Sequence, residues 1–203
     1  MREKTELKTK RLVLRPLGTE DLQTVHAYAS DLENTKWMQN LPNETIEETL
    51  AFLKSAEAEW QREHPSFYEF AVLWEGRHIG TVSLYLEEAA NTPGQTGVSG
   101  RAAEAANTPG QAGELGWVFH KDYWGRGFAG EAAAALVEYA VRQWKICHFV
   151  AHCDAENIGS YRVMEKLGMV RTAVGHNRKN RASAQVRTEY RYEMWLGNVQ
   201  SNR

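Results

Sequence analysis

The chain has 203 residues, of which 42% are hydrophobic and 25% are charged, which is enough for one domain with a substantial core. The formal net charge is −2, so the chain lacks the basic excess that draws proteins to nucleic acids or anionic membranes. Its two cysteines, Cys147 and Cys153, are too few for a disulfide framework and have no companion ligands at zinc-site spacing. We therefore expect a single cytoplasmic domain over residues 1–203, with no metal, nucleic-acid or membrane partner.

The spacing of apolar and capping residues predicts helices and strands in both halves of the chain. Alternating apolar residues indicate strands, and Thr45 with Glu48 forms the capping-box pattern of a helix N-terminus. In the N-terminal half the patterns predict a strand at Arg11–Leu17, a helix beginning at Thr19, a helix from Thr45 to about His64, and a hairpin of Phe67–Trp74 and His78–Leu86. In the C-terminal half they predict strands at Glu114–His120 and His148–Cys153, helices at Ala129–Trp144 and Ser160–Leu167, and a hairpin of Met169–His176 and Arg187–Leu196.

Residues 87–113 differ from the rest of the chain because they contain a repeated octapeptide. The sequence Glu-Ala-Ala-Asn-Thr-Pro-Gly-Gln occurs at Glu88–Gln95 and again at Glu104–Gln111. Two copies are too few for a solenoid, and few apolar side chains there could offset the entropy of ordering the backbone. We interpret the segment as a flexible, duplicated insert in a hairpin loop, with a flap over the substrate as the alternative.

A glycine-rich loop between a predicted strand and a predicted helix is the segment most informative about chemistry. Trp124-Gly125-Arg126-Gly127-Phe128-Ala129-Gly130-Glu131 leads into the helix predicted at Ala129–Trp144. Glycines let backbone amides approach a ligand closely, and the unpaired amides of a helix N-terminus favour phosphate or pyrophosphate. No Gly-Lys-Ser/Thr follows, as a nucleotide P-loop would require, and the glycine spacing is not that of a dinucleotide fingerprint.

A second motif, directly after the strand predicted at His148–Cys153, makes the pattern specific. It has the form Asn157-x-x-Ser160-x-Arg162-x-x-Glu165-Lys166-Leu167-Gly168. Together with Trp124–Glu131 it resembles the GNAT superfamily of acetyltransferases, and most closely its ribosomal-protein-alanine N-acetyltransferase-like branch. The resemblance also includes Thr9–Pro16 and the Gly76–Gly80 hairpin, and it spans residues 8–196 apart from the insert.

The resemblance implies the fold and the binding site of that superfamily. The implied fold is α+β, with a mixed, mostly antiparallel central sheet that is splayed in the middle and has helices on both faces. Acetyl-coenzyme A is the implied co-substrate, with its pantetheine arm between strands Glu114–His120 and His148–Cys153. Backbone groups of Val118 and Phe119 are expected to pair with the pantetheine, which Asn157 also contacts. The backbone amides expected to hold the pyrophosphate are those of Arg126, Gly127, Phe128, Ala129 and Gly130.

Two residues are candidates for moving protons during acetyl transfer. Glu114, at the start of its strand, is the candidate base, with a solvated strand end as the alternative interpretation. The resemblance makes Ser160 the candidate donor to the leaving thiolate; the alternative is a first-turn residue of a helix that Asn157 caps. Many family members carry a donor tyrosine four residues after this serine, where this chain has Met164.

The motifs do not name the acceptor amine, but two residues are candidate contacts for it. Trp37 lies in the loop before the second long helix, and Glu69, also a weaker candidate base, lies on a strand where glutamates commonly face solvent. His148 and His152 alternate on one strand face, but no third metal ligand follows, so we favour solvated or hydrogen-bonded imidazoles. We interpret the basic segment Arg178–Arg181 as a solvated hairpin tip that could steer an acidic partner.

We therefore expect an N-acetyltransferase that moves the acetyl group of acetyl-coenzyme A to a primary amine. The acceptor is the α-amine of a protein N-terminus or a small-molecule amine, and it attacks directly in a ternary complex. A non-catalytic acyl-coenzyme A-binding sensor or scaffold is the alternative, because the usual tyrosine is replaced by Met164. The expected assembly is a monomer or a homodimer.

Overall fold

The computed structural model describes residues 5–87 and 112–196. The strands are β1 (Leu7–Lys8), β2 (Leu12–Pro16), β3 (Phe67–Trp74), β4 (Arg77–Glu87), β5 (Ala112–Phe119), β6 (His148–Asp154), β7 (Val170–Lys179) and β8 (Val186–Trp195). The α-helices are α1 (Leu22–Ala29), α2 (Leu32–Thr35), α3 (Ile46–Gln61), α4 (Phe128–Trp144) and α5 (Ile158–Lys166). Within the described ranges no helix combines the length and apolar character needed to cross a membrane. The octapeptide repeats, predicted to form a flexible loop, lie outside the described residues.

One eight-stranded sheet organises these elements, in the order β1-β2-β3-β4-β5-β6-β8-β7. The neighbouring strands are antiparallel except for β5 and β6, which are parallel. The ladder between β5 and β6 contains only Ala112–Glu114 and His148–Val150. Beyond Glu114 the two strands have no ladder between them, and we call this gap the fork. The mixed, mostly antiparallel and splayed sheet that the sequence predicts is therefore confirmed.

Each face of the sheet is covered by helices over its own apolar core. On the face that we call the α4 face, Leu115 of β5 packs in one cluster with Leu136 of α4 and Met164 of α5. On the opposite face, which we call the α1 face, Val25 of α1 and Leu53 of α3 belong to a second cluster. Because side chains alternate along a strand, neighbouring residues of β5 and β6 point to different faces of the fork.

The capping signals in the sequence are confirmed at α3 and wrong in detail at α1. At α3, Thr45 Oγ1 accepts a hydrogen bond from the Glu48 N–H at 3.3 Å, as the capping box predicts. The predicted helix at Thr19 instead begins with a 3₁₀ turn over Thr19–Asp21, and α1 starts at Leu22. The short elements β1 and α2 were not predicted, because two to four residues carry too little periodicity to indicate an element.

Candidate active site

The fork directs the backbone groups of alternate β5 residues into the gap. The His120 N–H donates to a carbonyl of β4 at 3.0 Å. Since backbone groups of successive strand residues point to opposite edges, Val118 directs its N–H and C=O towards β4, and Phe119 directs its own into the fork. The Phe119 carbonyl accepts hydrogen bonds from Asn34 Nδ2 at 3.1 Å and Trp124 Nε1 at 2.7 Å. Of the two residues predicted to pair with pantetheine, the register therefore favours the N–H of Phe119 over the backbone of Val118.

The N-terminus of α4 presents backbone amides that no side chain of the described residues caps. Gly127 occupies the N-cap position with φ +78° and has no side chain that could accept a hydrogen bond from the first turn. This left-handed conformation favours glycine. Gly125, Arg126 and Gly127 are exposed, whereas the Phe128 side chain is buried in the α4-face core and leaves only its backbone for a ligand. Exposed, uncapped amides at the positive end of a helix dipole are the features that bind phosphate groups.

Two arginines lie beside these amides. The Arg126 guanidinium lies 4.3 Å from the centroid of the Trp74 ring, so an aromatic surface orients it. Arg11 Nη1 donates to the Arg126 carbonyl at 3.0 Å, and Arg11 Nε lies 2.6 Å from Glu131 Oε2. Arg11 was not predicted as a site residue; its one signal in the sequence was its place within Thr9–Pro16. A charged side chain thereby fastens the glycine-rich loop to the residue just before β2.

The N-terminus of α5 places Asn157 and Ser160 beside β6. Asn157 is the N-cap residue, and its Oδ1 accepts the Ser160 N–H at 3.2 Å. The interpretation of Asn157 as a helix cap is therefore confirmed. The cap uses the N–H of Ser160 and leaves its hydroxyl group available. Burial raises the pKa of the Cys153 thiol to about 11, although a hydrogen bond with the Ser160 side chain lowers it. Met164 is buried in the α4-face core and offers no proton.

Glu114 and His152 form a pair across the fork on the α1 face. Glu114 Oε1 lies 3.0 Å from His152 Nδ1, and the two side chains are 41% and 27% exposed. Burial disfavours the charged imidazole, but the hydrogen bond and the charge of Glu114 outweigh it and raise the pKa of His152. His148 on the same face has its own partner, Glu193, at 2.7 Å. In the part of the chain that the structure describes, no three potential metal ligands cluster.

Glu69 is buried on the α1 face, which corrects the expectation that it faces solvent. Only 5% of the residue is exposed, and its Oε1 accepts a hydrogen bond from Tyr85 Oη at 3.0 Å. Burial raises the pKa of Glu69 to about 7, although hydrogen bonds from Tyr85 and Ser83 lower it. Ser83 pairs with Gly116 of β5, where a Cβ atom would lie only 2.5 Å from Ser83 Oγ. The polar side chains of Glu69, Tyr85 and Ser83 therefore connect β3, through β4, to β5, the strand that borders the fork.

The loop that contains Trp37 is fastened to the β7–β8 hairpin. Arg178 Nη2 donates to the Trp37 carbonyl at 2.8 Å, and Arg178 Nη1 pairs with Glu189 Oε1 at 2.5 Å. The Arg187 guanidinium lies 4.7 Å from the centroid of the Trp37 ring. The interpretation of a solvated basic tip is wrong for Arg178, whose side chain is 7% exposed, because the Trp37 loop and Glu189 enclose it.

Comparison with known proteins identifies the family. The model of the acetyltransferase (GNAT) domain family matches residues 11–170, and the chain therefore belongs to the GNAT acetyltransferases. The uncharacterized N-acetyltransferase YnaD of Bacillus subtilis (strain 168) is 31% identical to it over 165 residues, which are 80% of this chain and 81% of YnaD. The expected enzyme class is confirmed: the protein is an acetyl-coenzyme A-dependent N-acetyltransferase.

Solved structures share the fold. An acetyltransferase of the GNAT family from Bacillus anthracis superimposes with a TM-score of 0.69 at 25% identity, covering 94% of this chain and 98% of that chain. RimL, a ribosomal L7/L12 α-N-protein acetyltransferase solved in complex with coenzyme A, superimposes with a TM-score of 0.74 at 16% identity, covering 95% and 98%. The likeness to RimL concerns the fold alone.

Proposed function

We propose that the protein acetylates a primary amine that enters the fork from the α1 face. The observation that supports this is the division of polar groups between the two faces. Glu114 and His152 form a pair on the α1 face, whereas Ser160 is hydrogen-bonded to Cys153, which belongs to the α4-face core. An amine that attacks from the α1 face would meet the Glu114–His152 pair. A thiol that leaves towards the α4 face would meet Ser160.

The donor acetyl-coenzyme A occupies the fork and the N-terminus of α4 in this proposal. The amides from Arg126 to Gly130 hold its pyrophosphate, because they are uncapped and the helix dipole favours an anion there. Arg126 supplies further positive charge at the same place, whereas the charge of Arg11 is paired with Glu131. The pantetheine arm contacts Asn157, and the thioester at its end reaches the N–H of Phe119.

Direct attack requires a neutral amine, a polarised carbonyl and a proton for the thiolate. The amine nitrogen bonds to the thioester carbon, the C–S bond breaks, and the sulfur leaves with the electron pair. The Phe119 N–H, which points into the fork, is positioned to stabilise the oxygen that becomes negative. Removal of the amine proton depends on Glu114, and Ser160 donates a proton to the thiolate.

The acceptor that we propose is an α-amine or a small amine of similar basicity. An α-amine has a pKa of about 7.7–8.0 and lysine about 10.4, so deprotonation at pH 7 costs about 1 rather than about 4.6 kcal/mol. The name of RimL describes action on a protein α-amine, which is the same class. Trp37 and Glu69 are the proposed acceptor contacts: Glu69 shares the α1 face with Ala71 of the same strand, and Trp37 lies against Arg178 and Arg187.

Turnover with a panel of amines tests this function. Purified protein is incubated with acetyl-coenzyme A and with peptides of different N-termini, lysine peptides or polyamines, and thiol release and product mass are measured. Intersecting double-reciprocal plots are expected for a ternary complex, and parallel plots would contradict it. If acetyl-coenzyme A binds but no amine releases thiol, the non-catalytic binding domain becomes the better description.

Replacing Ser160 by alanine is expected to lower kcat about 30-fold. This lies below the usual 10²–10⁴-fold for general acid–base catalysis, because an alkyl thiol has a pKa near 8.5 and its thiolate leaves fairly easily. The KM for acetyl-coenzyme A and the melting temperature should not change, since the cap on α5 uses the Ser160 N–H. Steady-state kinetics check this, and an unchanged kcat would exclude Ser160 as the donor.

Replacing Glu69 by glutamine is expected to stabilise the protein by about 1–3 kcal/mol at pH 8. The raised pKa of about 7 means that wild type loses stability as the pH rises from about 4.5 to about 7. The variant lacks this loss, so its advantage in stability should shrink towards pH 5 in urea unfolding experiments.

Glu59 is a matched control for Glu69. Burial opposes its ionisation, but hydrogen bonds from Ser66 and Arg62 lower its pKa, so Glu59→Gln should destabilise the protein. A Glu69→Gln variant that is less stable at pH 8 would contradict the prediction.

A further inference from the structure

We infer that His152 accepts the proton of the attacking amine and that Glu114 positions its imidazole. This inference rests on the proposed function and divides the roles within the pair at the fork. Glu114 is the last β5 residue in the ladder with β6, where it pairs with Val150. His152 follows two residues later, so the hydrogen bond of 3.0 Å spans the point where the strands begin to separate. An acceptor entering there reaches the imidazole.

The hydrogen bond determines which ring nitrogen is the base. A carboxylate only accepts hydrogen bonds, so Nδ1 of His152 carries a proton and donates it to Glu114 Oε1. In the neutral ring, Nε2 then holds the free electron pair. Among the described residues Nε2 has no hydrogen-bond partner, whereas Nδ1 has Glu114. The carboxylate thus holds the ring and its tautomer in place, as the acid of an acid–histidine–nucleophile triad does.

The charges around His152 suit a base that works near neutral pH. The charged groups that act on it are Glu114 on β5 and Glu189 and Arg191 on β8. Burial and Arg191 favour the neutral ring, but the hydrogen bond that His152 donates to Glu114 and the charges of Glu114 and Glu189 outweigh them and raise the pKa of His152. An imidazole with a pKa above its ordinary 6.5 matches an α-amine far better than an ordinary carboxylate with a pKa near 4.3.

The proton balance follows from these assignments. As the nitrogen bonds to the acetyl carbon, its proton passes to Nε2 of His152 and the ring becomes an imidazolium next to the Glu114 carboxylate. The C–S bond breaks, the thiolate takes a proton from Ser160, and the Ser160 oxygen takes a proton from solvent water in its place. The imidazolium then returns its proton to solvent before the next cycle.

His148 provides a matched control on the same strand face. Its Nε2 lies 2.7 Å from Glu193 Oε2, and its ring stacks on Trp195 with centroids 3.6 Å apart. His148 lies opposite Ala112, within the short ladder where β5 and β6 are still paired. It is therefore a histidine with a carboxylate partner in the same sheet but away from the open part of the fork.

The test compares pH profiles of acetyl transfer for wild type, His152→Gln, Glu114→Gln and His148→Gln. In wild type, kcat/KM should rise with pH through the pKa of His152, which NMR titration of the imidazole measures independently. His152→Gln should lower kcat about 100-fold and abolish this rise. Glu114→Gln should lower kcat about 10-fold and move the rise to lower pH, since the charge that raises the pKa is lost. His148→Gln should retain the wild-type rate and profile.

Three results would overturn the inference. If His152→Gln keeps the wild-type kcat and pH profile, the imidazole takes no proton. If only Glu114→Gln abolishes the rise, the carboxylate itself is the base. If His148→Gln loses as much activity as His152→Gln, the effect is structural. A wild-type protein that acetylates no amine refutes the proposed function itself, and this is seen before any variant is compared.

Discussion

Replacing Gly125 by aspartate is expected to raise the KM for acetyl-coenzyme A about 300-fold. Gly125 lies at φ +72° in the exposed loop before α4, and aspartate tolerates this left-handed conformation better than most residues. The new carboxylate would stand beside the amides proposed to hold the pyrophosphate. Two like charges about 5 Å apart repel by about 3 kcal/mol at an effective dielectric constant of about 20. The KM and the Kd for coenzyme A, measured kinetically and by calorimetry, check this.

Gly76 offers a control that matches Gly125 in backbone conformation. Gly76 lies at φ +77° in the turn between β3 and β4, and a Cβ atom at either glycine would have nothing within 4 Å. Gly76→Asp should therefore cause a similar loss of stability without changing the KM. Added salt should partly restore binding to the Gly125→Asp variant, because it screens exposed charges. If both variants bind coenzyme A equally well, the pyrophosphate does not bind at this loop.

Replacing Asp21 by asparagine is expected to destabilise the protein by about 3 kcal/mol at pH 7. Asp21 is buried, and its two carboxylate oxygens each lie 2.7 Å from a guanidinium nitrogen of Arg15. Its Oδ1 also lies 3.0 Å from His78 Nδ1. Removing one partner of a buried ion pair typically costs about 3–5 kcal/mol, and the low end applies because Arg15 is partly exposed. Urea unfolding of wild type and variant measures the difference.

The effect of Asp21→Asn should depend on pH. Burial opposes ionisation of Asp21, but the contact with His78 at 3.0 Å and the hydrogen bonds from Arg15 outweigh it and hold its pKa well below the usual range. An acid with a lowered pKa stabilises the fold above its unfolded pKa of about 3.9, and this contribution is lost as the pH falls towards the folded pKa. The free energies of unfolding of the two proteins should therefore converge below about pH 4.

Glu20→Gln is the control for Asp21→Asn. Glu20 pairs with the same Arg15 but is 62% exposed, so it should contribute less than about 1 kcal/mol. If the difference in the free energy of unfolding between wild type and Asp21→Asn stays the same from pH 7 to below about pH 4, the carboxylate of Asp21 is not the source of the stabilisation.

The proposed donor side of the site depends on residues that are neighbours in the sequence, so the sequence alone suffices to propose it. The glycine-rich loop and the first turn of α4 are consecutive, as are Asn157 and Ser160 at the start of α5. A helix N-terminus presents its unpaired amides whatever the rest of the fold does. Glycine at φ +78° and an asparagine cap are likewise properties of a few neighbouring residues. The same reasoning predicts most strands and the long helices α3 and α4.

The proposed acceptor side depends on the tertiary structure. Glu69 is buried and bonded to Tyr85, His152 meets Glu114 38 positions away, and Arg178 meets the Trp37 carbonyl 141 positions away. Strand periodicity gives the face of each side chain but not its depth or its partner.

The short motifs of the sequence by themselves thus determined the family, and the resemblance to that family implied the splayed sheet and the proposed acetyl-coenzyme A loop. Only the tertiary structure decided which carboxyl group is buried and which imidazole has a charged partner. Burial and partners set a pKa, and both depend on how distant segments pack.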